Sequence, residues 1–245
     1  MTGGATGATT LRVLTQLRRD PRTIALIVGV PTLLVILLRF VFDDQDLVFY
    51  RIGGPLLGIF PFISMFVVTT VTMLRERITG TLERLMTLPL AKLDILLGYA
   101  VAFALLAVVQ VTVVSVVAFG LLDLRVEGSK IVVVALAVTN ATLGMALGLF
   151  VSAFARTEFQ AVQFMPAIVF PQILLCGLIV AREDMARVLE LISDVLPLTY
   201  AYDALARVTT GEPLDGRFVL DLAVIVGAAL LALVLGALTL RRRTP

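Results

Sequence analysis

Reactive side chains are scarce in this chain of 245 residues, and their types exclude most enzyme chemistries before any fold is considered. Histidine is absent, and the one cysteine is Cys176. A nucleophile needs a base within hydrogen-bond reach, so Ser-His-Asp and Cys-His arrangements are excluded, and a zinc site has too few ligands. No catalytic residue and no metal-binding set is assigned. Carboxylates cluster at Asp43, Asp44 and Asp46, and again at Glu183 and Asp184. Asp-rich loops hold Mg²⁺ in membrane prenyl-transfer enzymes, but "DDQD" is a weak match, and a solvated acidic loop explains it better. A GxxxxGK[ST] phosphate loop is missing. "EGSK" at 127–130 lacks the first glycine at the required distance, so the chain has no usual means of hydrolysing ATP.

The richest polar stretch of the first half is "RERITGTLERLMTLPLAKLD", residues 75–94, set between two long apolar runs. Gly80 breaks what precedes it, and Thr81 is the expected cap of a new helix. Glu83 falls in the first turn, where the helix dipole favours negative charge. Leu82, Leu85 and Met86 share one face, and Pro89 ends the helix. A two-turn helix over 81–88 is too short to persist alone, so it must dock on something.

The elements that carry this segment are dictated by hydropathy. Hydrophobic residues make up 59% of the chain and the mean hydropathy is +1.03, beyond the range of ordinary soluble domains. Six apolar stretches approach or exceed the roughly 20 residues that cross a bilayer as a helix. The expected spans are 23–42, 52–74, 95–122, 131–155, 159–181 and 222–240. Runs such as "VAFALLAVVQVTVVSVVAFGLL" do not alternate apolar and polar, which excludes barrel strands. The fold class is an all-α integral membrane protein, a single transmembrane domain over 1–245. Residues 1–9 are expected to be disordered, and "TLRVLTQLRRDPR" reads as an interfacial helix or a basic anchor. No cleavable leader is expected. The 182–221 extracellular loop before the last span is long enough to hold one or two short helices that dip back toward the membrane.

Twelve of the 20 Lys and Arg residues fall on the side of the N-terminus, which places both termini in the cytoplasm. The pI near 9.0 then reflects basic clusters beside the spans and not a nucleic-acid surface. No acid is expected deep in a span, because Asp221 lies at the outer mouth of the sixth; this disfavours proton coupling. Asn140, Gly144, Gly148 and Ser152 recur every four residues and form a small-residue face suited to close helix packing, favoured over a substrate-lining role.

The segment "RERITGTLERLMTLPLAKLDILLGYA" resembles the loop between spans two and three in membrane subunits of type-2 ABC exporters, the family of drug-resistance and polysaccharide or lipid exporters. Glu76, Arg77, Gly80, Thr81, Leu82, Glu83, Leu85, Thr87 and Pro89 fall into that family's pattern, with Pro89 one position late. "LPLTYAYDALARVTTG" at 196–211 is similar to the stretch before its last span. The resemblance implies that residues 81–88 are a coupling helix seated in a separate ATPase subunit. Leu82, Leu85 and Met86 would supply apolar contact, and Glu83 with Arg84 would fix register by ion pairing. ATP and Mg²⁺ would belong to that partner dimer, with no cofactor in this chain. A second permease copy, or a related subunit, would complete a pathway lined by spans two and five. Phe62, Met65, Phe66 and Thr69 face it in one span and Phe164, Met165, Phe170 and Gln172 in the other; kinked helix packing explains the same residues equally well. The implied function is ATP-driven export of a hydrophobic or amphipathic compound, such as a drug, lipid or lipid-linked glycan, across a bacterial-type cytoplasmic membrane. An ion-coupled secondary transporter and a membrane-embedded lipid or prenyl-transfer enzyme are the alternatives.

Overall fold

The computed structural model describes residues 2–87 and 92–239. Among them there are only helices, turns and loops. The chain runs α1 (Thr2–Arg18), α2 (Pro21–Val41), α3 (Asp46–Ile78), α4 (Thr81–Thr87), α5 (Lys92–Val116, continued by a π turn to Leu121) and α6 (Lys130–Val151). It continues with α7 (Glu158–Phe164), a π turn over Met165–Val169, α8 (Phe170–Leu175), α9 (Arg187–Ser193), α10 (Pro197–Thr209) and α11 (Gly216–Thr239). Six of these helical runs are long and apolar enough to cross a membrane, with α7 and α8 counted as one.

Three spans form the centre. α3, α5 and α6 bury half or more of their apolar stretch inside the fold, whereas α2, α7–α8 and α11 bury less than a quarter. The tightest pairing is α3 on α6, where Gly144 and Gly148 face the α3 backbone at Phe62 and Phe66. A β-carbon at either glycine would overlap that backbone, so the absent side chains let the helices meet this closely. Polar groups close the same seam. Asn140 Nδ2 donates to Gly58 O at 3.1 Å, and Thr69 Oγ1 donates to Met145 O at 3.2 Å. Ser152 is also buried, with its hydroxyl on Leu149 O.

Backbone groups freed inside spans find partners. Pro31 has no N–H, so the Ile27 carbonyl one turn earlier loses its helical donor. Gln110 Nε2 donates to that oxygen at 2.8 Å, and Ser64 Oγ lies 3.4 Å from it. Such substitution is what permits a proline within a span, where no water is at hand.

Several boundaries depart from the expectation. Residues 2–9 are helical, part of α1, and Thr10 Oγ1 donates to Gly98 O at 3.1 Å, which ties α1 to α5. The sixth span begins at Gly216, six residues before its charge-free stretch. Asp215 Oδ1 accepts from the backbone N–H groups of Arg217 and Phe218, so a cap overrides the charge pattern. The fifth span is not one helix to residue 181. It is interrupted by the π turn that contains Pro166, and it ends at Leu175, two residues before Gly177, whose φ of +101° a helix does not continue through. The 182–215 segment folds back on the bundle: Leu198, Ala201, Leu205 and Val208 of α10 are buried, and α10 packs on α3, α6 and α11. Backbone bonds from Glu127 N to Thr209 O (3.0 Å) and Gly128 N to Val208 O (3.1 Å) fasten the α5–α6 loop to it.

Candidate functional site: the elbow between α3 and α4

α3 carries 33 residues, about 50 Å at the helical rise of ~1.5 Å per residue, against roughly 30 Å of hydrocarbon. Its C-terminal turns therefore project beyond the apolar layer and deliver the chain to the elbow. Gly80 has φ +70° and its carbonyl accepts from Arg84 N at 3.1 Å, the first backbone bond of α4. A side chain would be strained at that φ. Thr81 is already the first residue of α4, and its hydroxyl meets Thr79 Oγ1 at 2.9 Å, so the capping position belongs to Gly80 and not to Thr81.

α4 turns its apolar face inward. Leu82 is 2% exposed and shares a core cluster with Val13, Leu17, Ile95 and Tyr99, with Leu85 half-buried against the same cluster. The contact assigned to Leu82 is thus with its own chain, because the α1 and α5 side chains already cover it. Burial of a leucine is worth about 1.5–3 kcal/mol, enough to hold a short helix that has no stability alone. What α4 presents outward is polar: Glu83, Arg84 and Thr87 are exposed. The Met86 side chain and Pro89 lie outside the described residues.

Two ion pairs hold the elbow in place. Glu76 is 6% exposed and accepts from Arg12 Nη2 at 2.6 Å, and the same nitrogen lies 2.9 Å from Tyr99 Oη. Partial burial works against the Arg12 charge, but the bond to Glu76 and the neighbouring Tyr99 more than offset it, and the guanidinium is held above its ordinary pKa. Glu76 is therefore engaged inside the fold and is not a surface contact. On the other flank, Arg75 reaches Glu158 through Nε–Oε1 at 2.6 Å and Nη2–Oε2 at 2.9 Å, which joins α3 to the start of α7. Arg77 is half-buried, and its Nε has no partner among the described residues. Sequence reasoning missed Arg12, Tyr99 and Glu158 as partners. The signal was thin: Tyr99 is the lone hydroxyl-bearing aromatic of its span, and Glu158 the lone acid of its loop.

The residues assigned to a pathway separate into two groups. Phe62, Met65, Phe66 and Thr69 are fully buried, so they line no open surface; the close α3–α6 seam encloses them. Phe164 and Met165 are half-buried and pack on the cluster that contains Phe62 and Phe66. Phe170 is 47% exposed, while Gln172 is buried with Nε2 on Ile168 O at 3.2 Å. The structure thus brings Phe62, Phe66, Phe164 and Met165 together as packing and leaves Phe170 apart. Asp221 lies in the second turn of α11. It is fully buried on α11, and neither carboxylate oxygen has a hydrogen-bond partner among the described residues.

Residues 5–209 match the family model described as ABC-2 type transporter. Among curated proteins, the chain is 28% identical over 138 residues to ABC transporter G family member 20 of Dictyostelium discoideum, covering 56% of this chain and 19% of that protein. It is 28% identical over 141 residues to the probable multidrug ABC transporter permease YbhR of Escherichia coli, covering 58% of this chain and 38% of the relative. Against the probable multidrug ABC transporter permease YbhS of the same organism, identity is 23% over 180 residues, or 72% and 47% of the two chains. The matched part is less than half of each relative's length. With the family model spanning most of its residues and six helices of membrane-crossing length, this multi-pass membrane protein belongs to the ABC-2 type transporter family.

Proposed function

We propose that the chain is the membrane-spanning subunit of an ATP-driven exporter, and that α4 receives the stroke of a separate ATPase subunit on the cytoplasmic face. The observation that carries this reading is the build of the elbow. A two-turn helix stands at the end of the longest span, anchored inward by Leu82 and by the Arg12–Glu76 pair, with Glu83, Arg84 and Thr87 left exposed. A lever must be fixed to what it moves and free toward what moves it, and α4 meets both conditions. The ion-pairing role falls on Glu83 and Arg84, while Leu82 transmits force into α1 and α5. Both termini are cytoplasmic in this reading, the 182–215 segment faces outward, and a second permease copy completes the transport unit. The relatives named as multidrug permeases favour a hydrophobic or amphipathic substrate for this chain as well.

Co-expression with a nucleotide-binding protein tests the reading. Glu83→Arg is expected to lower transport-coupled ATP hydrolysis several-fold while membrane insertion stays normal. Cysteines placed at Glu83 and Arg84 should crosslink to the ATPase. Capture of lipid alone at both positions, or unchanged coupling in Glu83→Arg, would overturn the assignment.

A further inference from the structure

At the end of the molecule away from α4, a cavity of about 920 Å³ opens among the start of α3, the 177–183 stretch, α9, α10 and the start of α11. Its volume lies within the range of small-molecule sites. Three span ends border it, which sets it at the depth where hydrocarbon gives way to lipid headgroups. The walls differ in sign. On the α3 side, Arg51 is exposed and makes no hydrogen bond or ion pair among the described residues. On the opposite side the acids Glu183, Glu190, Asp194 and Asp203 outnumber the bases Arg182 and Arg217. Those two arginines are already engaged: Arg182 pairs with Asp194 and Asp203, and Arg217 lies 3.7 Å from Asp203. Glu183, like Arg51, has no such partner. Asp221 stands one helical turn from Arg217, buried and without a hydrogen-bond partner among the described residues. Apolar side chains, Leu47, Ile52 and Ile179 among them, complete the lining, and Tyr202 contributes an aromatic ring.

We infer that this cavity holds the headgroup of a zwitterionic phospholipid, with its phosphate on Arg51 and its ammonium against the acidic wall at Glu183. The two unsatisfied charges of the cavity are of opposite sign, as are the two charges of a phosphoethanolamine headgroup. Guanidinium binds phosphate through charge-assisted hydrogen bonds, and an ammonium gains from both carboxylates and the Tyr202 ring. The apolar lining suits the first acyl carbons below the headgroup. An anionic lipid such as phosphatidylglycerol would satisfy Arg51 and leave Glu183 facing a hydroxyl; a free amine would do the reverse.

The inference does not depend on the ATPase partner, and its test reads lipid binding alone. The full chain is reconstituted in nanodiscs of equal phosphatidylethanolamine and phosphatidylglycerol, and the lipids that survive mild delipidation are weighed by native mass spectrometry. The wild-type chain should retain phosphatidylethanolamine with a preference of about tenfold, the scale of one charge-assisted contact. Arg51→Gln should reduce retention of both lipids, because both carry phosphate. Glu183→Gln should erase the preference while retention persists. Both side chains are exposed, and an unchanged thermal midpoint shows that each variant has folded. Equal retention of the two lipids by the wild-type chain, a preference for phosphatidylglycerol, or wild-type behaviour of both folded variants would overturn the inference. So would equal capture of soluble glycerophosphoethanolamine, which has the headgroup but no acyl chain.

Discussion

At the elbow, Arg12 and Glu76 form a discrete pair beside Tyr99, and Arg75 and Glu158 form another. At the far end, Arg182, Asp194, Asp203 and Arg217 share contacts, and Asp221, one turn along α11 from Arg217, has no hydrogen-bond partner among the described residues. The first arrangement fixes each charge by one geometry, as a joint under load requires. The second leaves charges that can be satisfied in more than one way, including by a molecule that enters between them. Low dielectric makes an unpartnered buried carboxylate costly, so a fold that keeps one has a local field that is not at its stability optimum.

Removing one member of a discrete pair should do the most damage. Arg12→Ala leaves Glu76 buried without its cation, and a loss of about 2–3 kcal/mol is expected from thermal unfolding in detergent. The figure lies at or below the low end for buried pairs because the Arg12 side chain is 30% exposed. A loss under 1 kcal/mol would dissolve the contrast. Asp221→Asn should have the opposite sign and stabilise by about 1–2 kcal/mol, because it removes a charge with no partner while keeping the shape. A decrease would show that Asp221 is held by a group of the far end after all. The pH dependence of the far end is a subtler measure. Burial raises the pKa of Asp203 above the usual carboxylate value, although Arg182 and Arg217 pull it down. The folded state thus keeps its proton to higher pH than the unfolded chain, so the Asp203 contribution is present at acid pH and falls as pH rises through the interval between the two values. Asp203→Asn should flatten that part of the pH–stability profile. Smallest of all, Arg75→Ala removes a pair with both partners about half exposed and should cost less than 1 kcal/mol.

The long spans and the short helix after Gly80 were legible because hydropathy over some 20 residues and a glycine-centred break are local signals. The family pattern in residues 76–89 pointed to the same elbow that the structure shows. Which way α4 faces was not legible: the periodicity puts Leu82 and Leu85 on one side but does not say whether this chain or another covers it. The burial of Glu76 depends on Arg12, 64 residues earlier, and no spacing rule links them. The π turn of the fifth span coincides with Pro166 and its end at Leu175 precedes Gly177, but a charge count ignores proline and glycine and so runs the span to residue 181. The burial of Asp221 is illegible for another reason. The segment after Arg182 reads as short helices that dip back toward the membrane, and α10 does fold back, but no local signal says that it covers the start of α11.

The length of α3 has a mechanical consequence. Arg75, beside the elbow, and Arg51, at the rim of the far cavity, lie on one uninterrupted helix, 24 residues and therefore about 36 Å apart. Pro55 and Pro61 lie between them, and each removes one helical donor without ending the helix. Gly144 and Gly148 clamp α3 at Phe62 and Phe66, just past Pro61, so a sideways push at the elbow pivots the 62–78 arm about α6 as on a seesaw, and the two prolines set how much of that swing reaches Arg51.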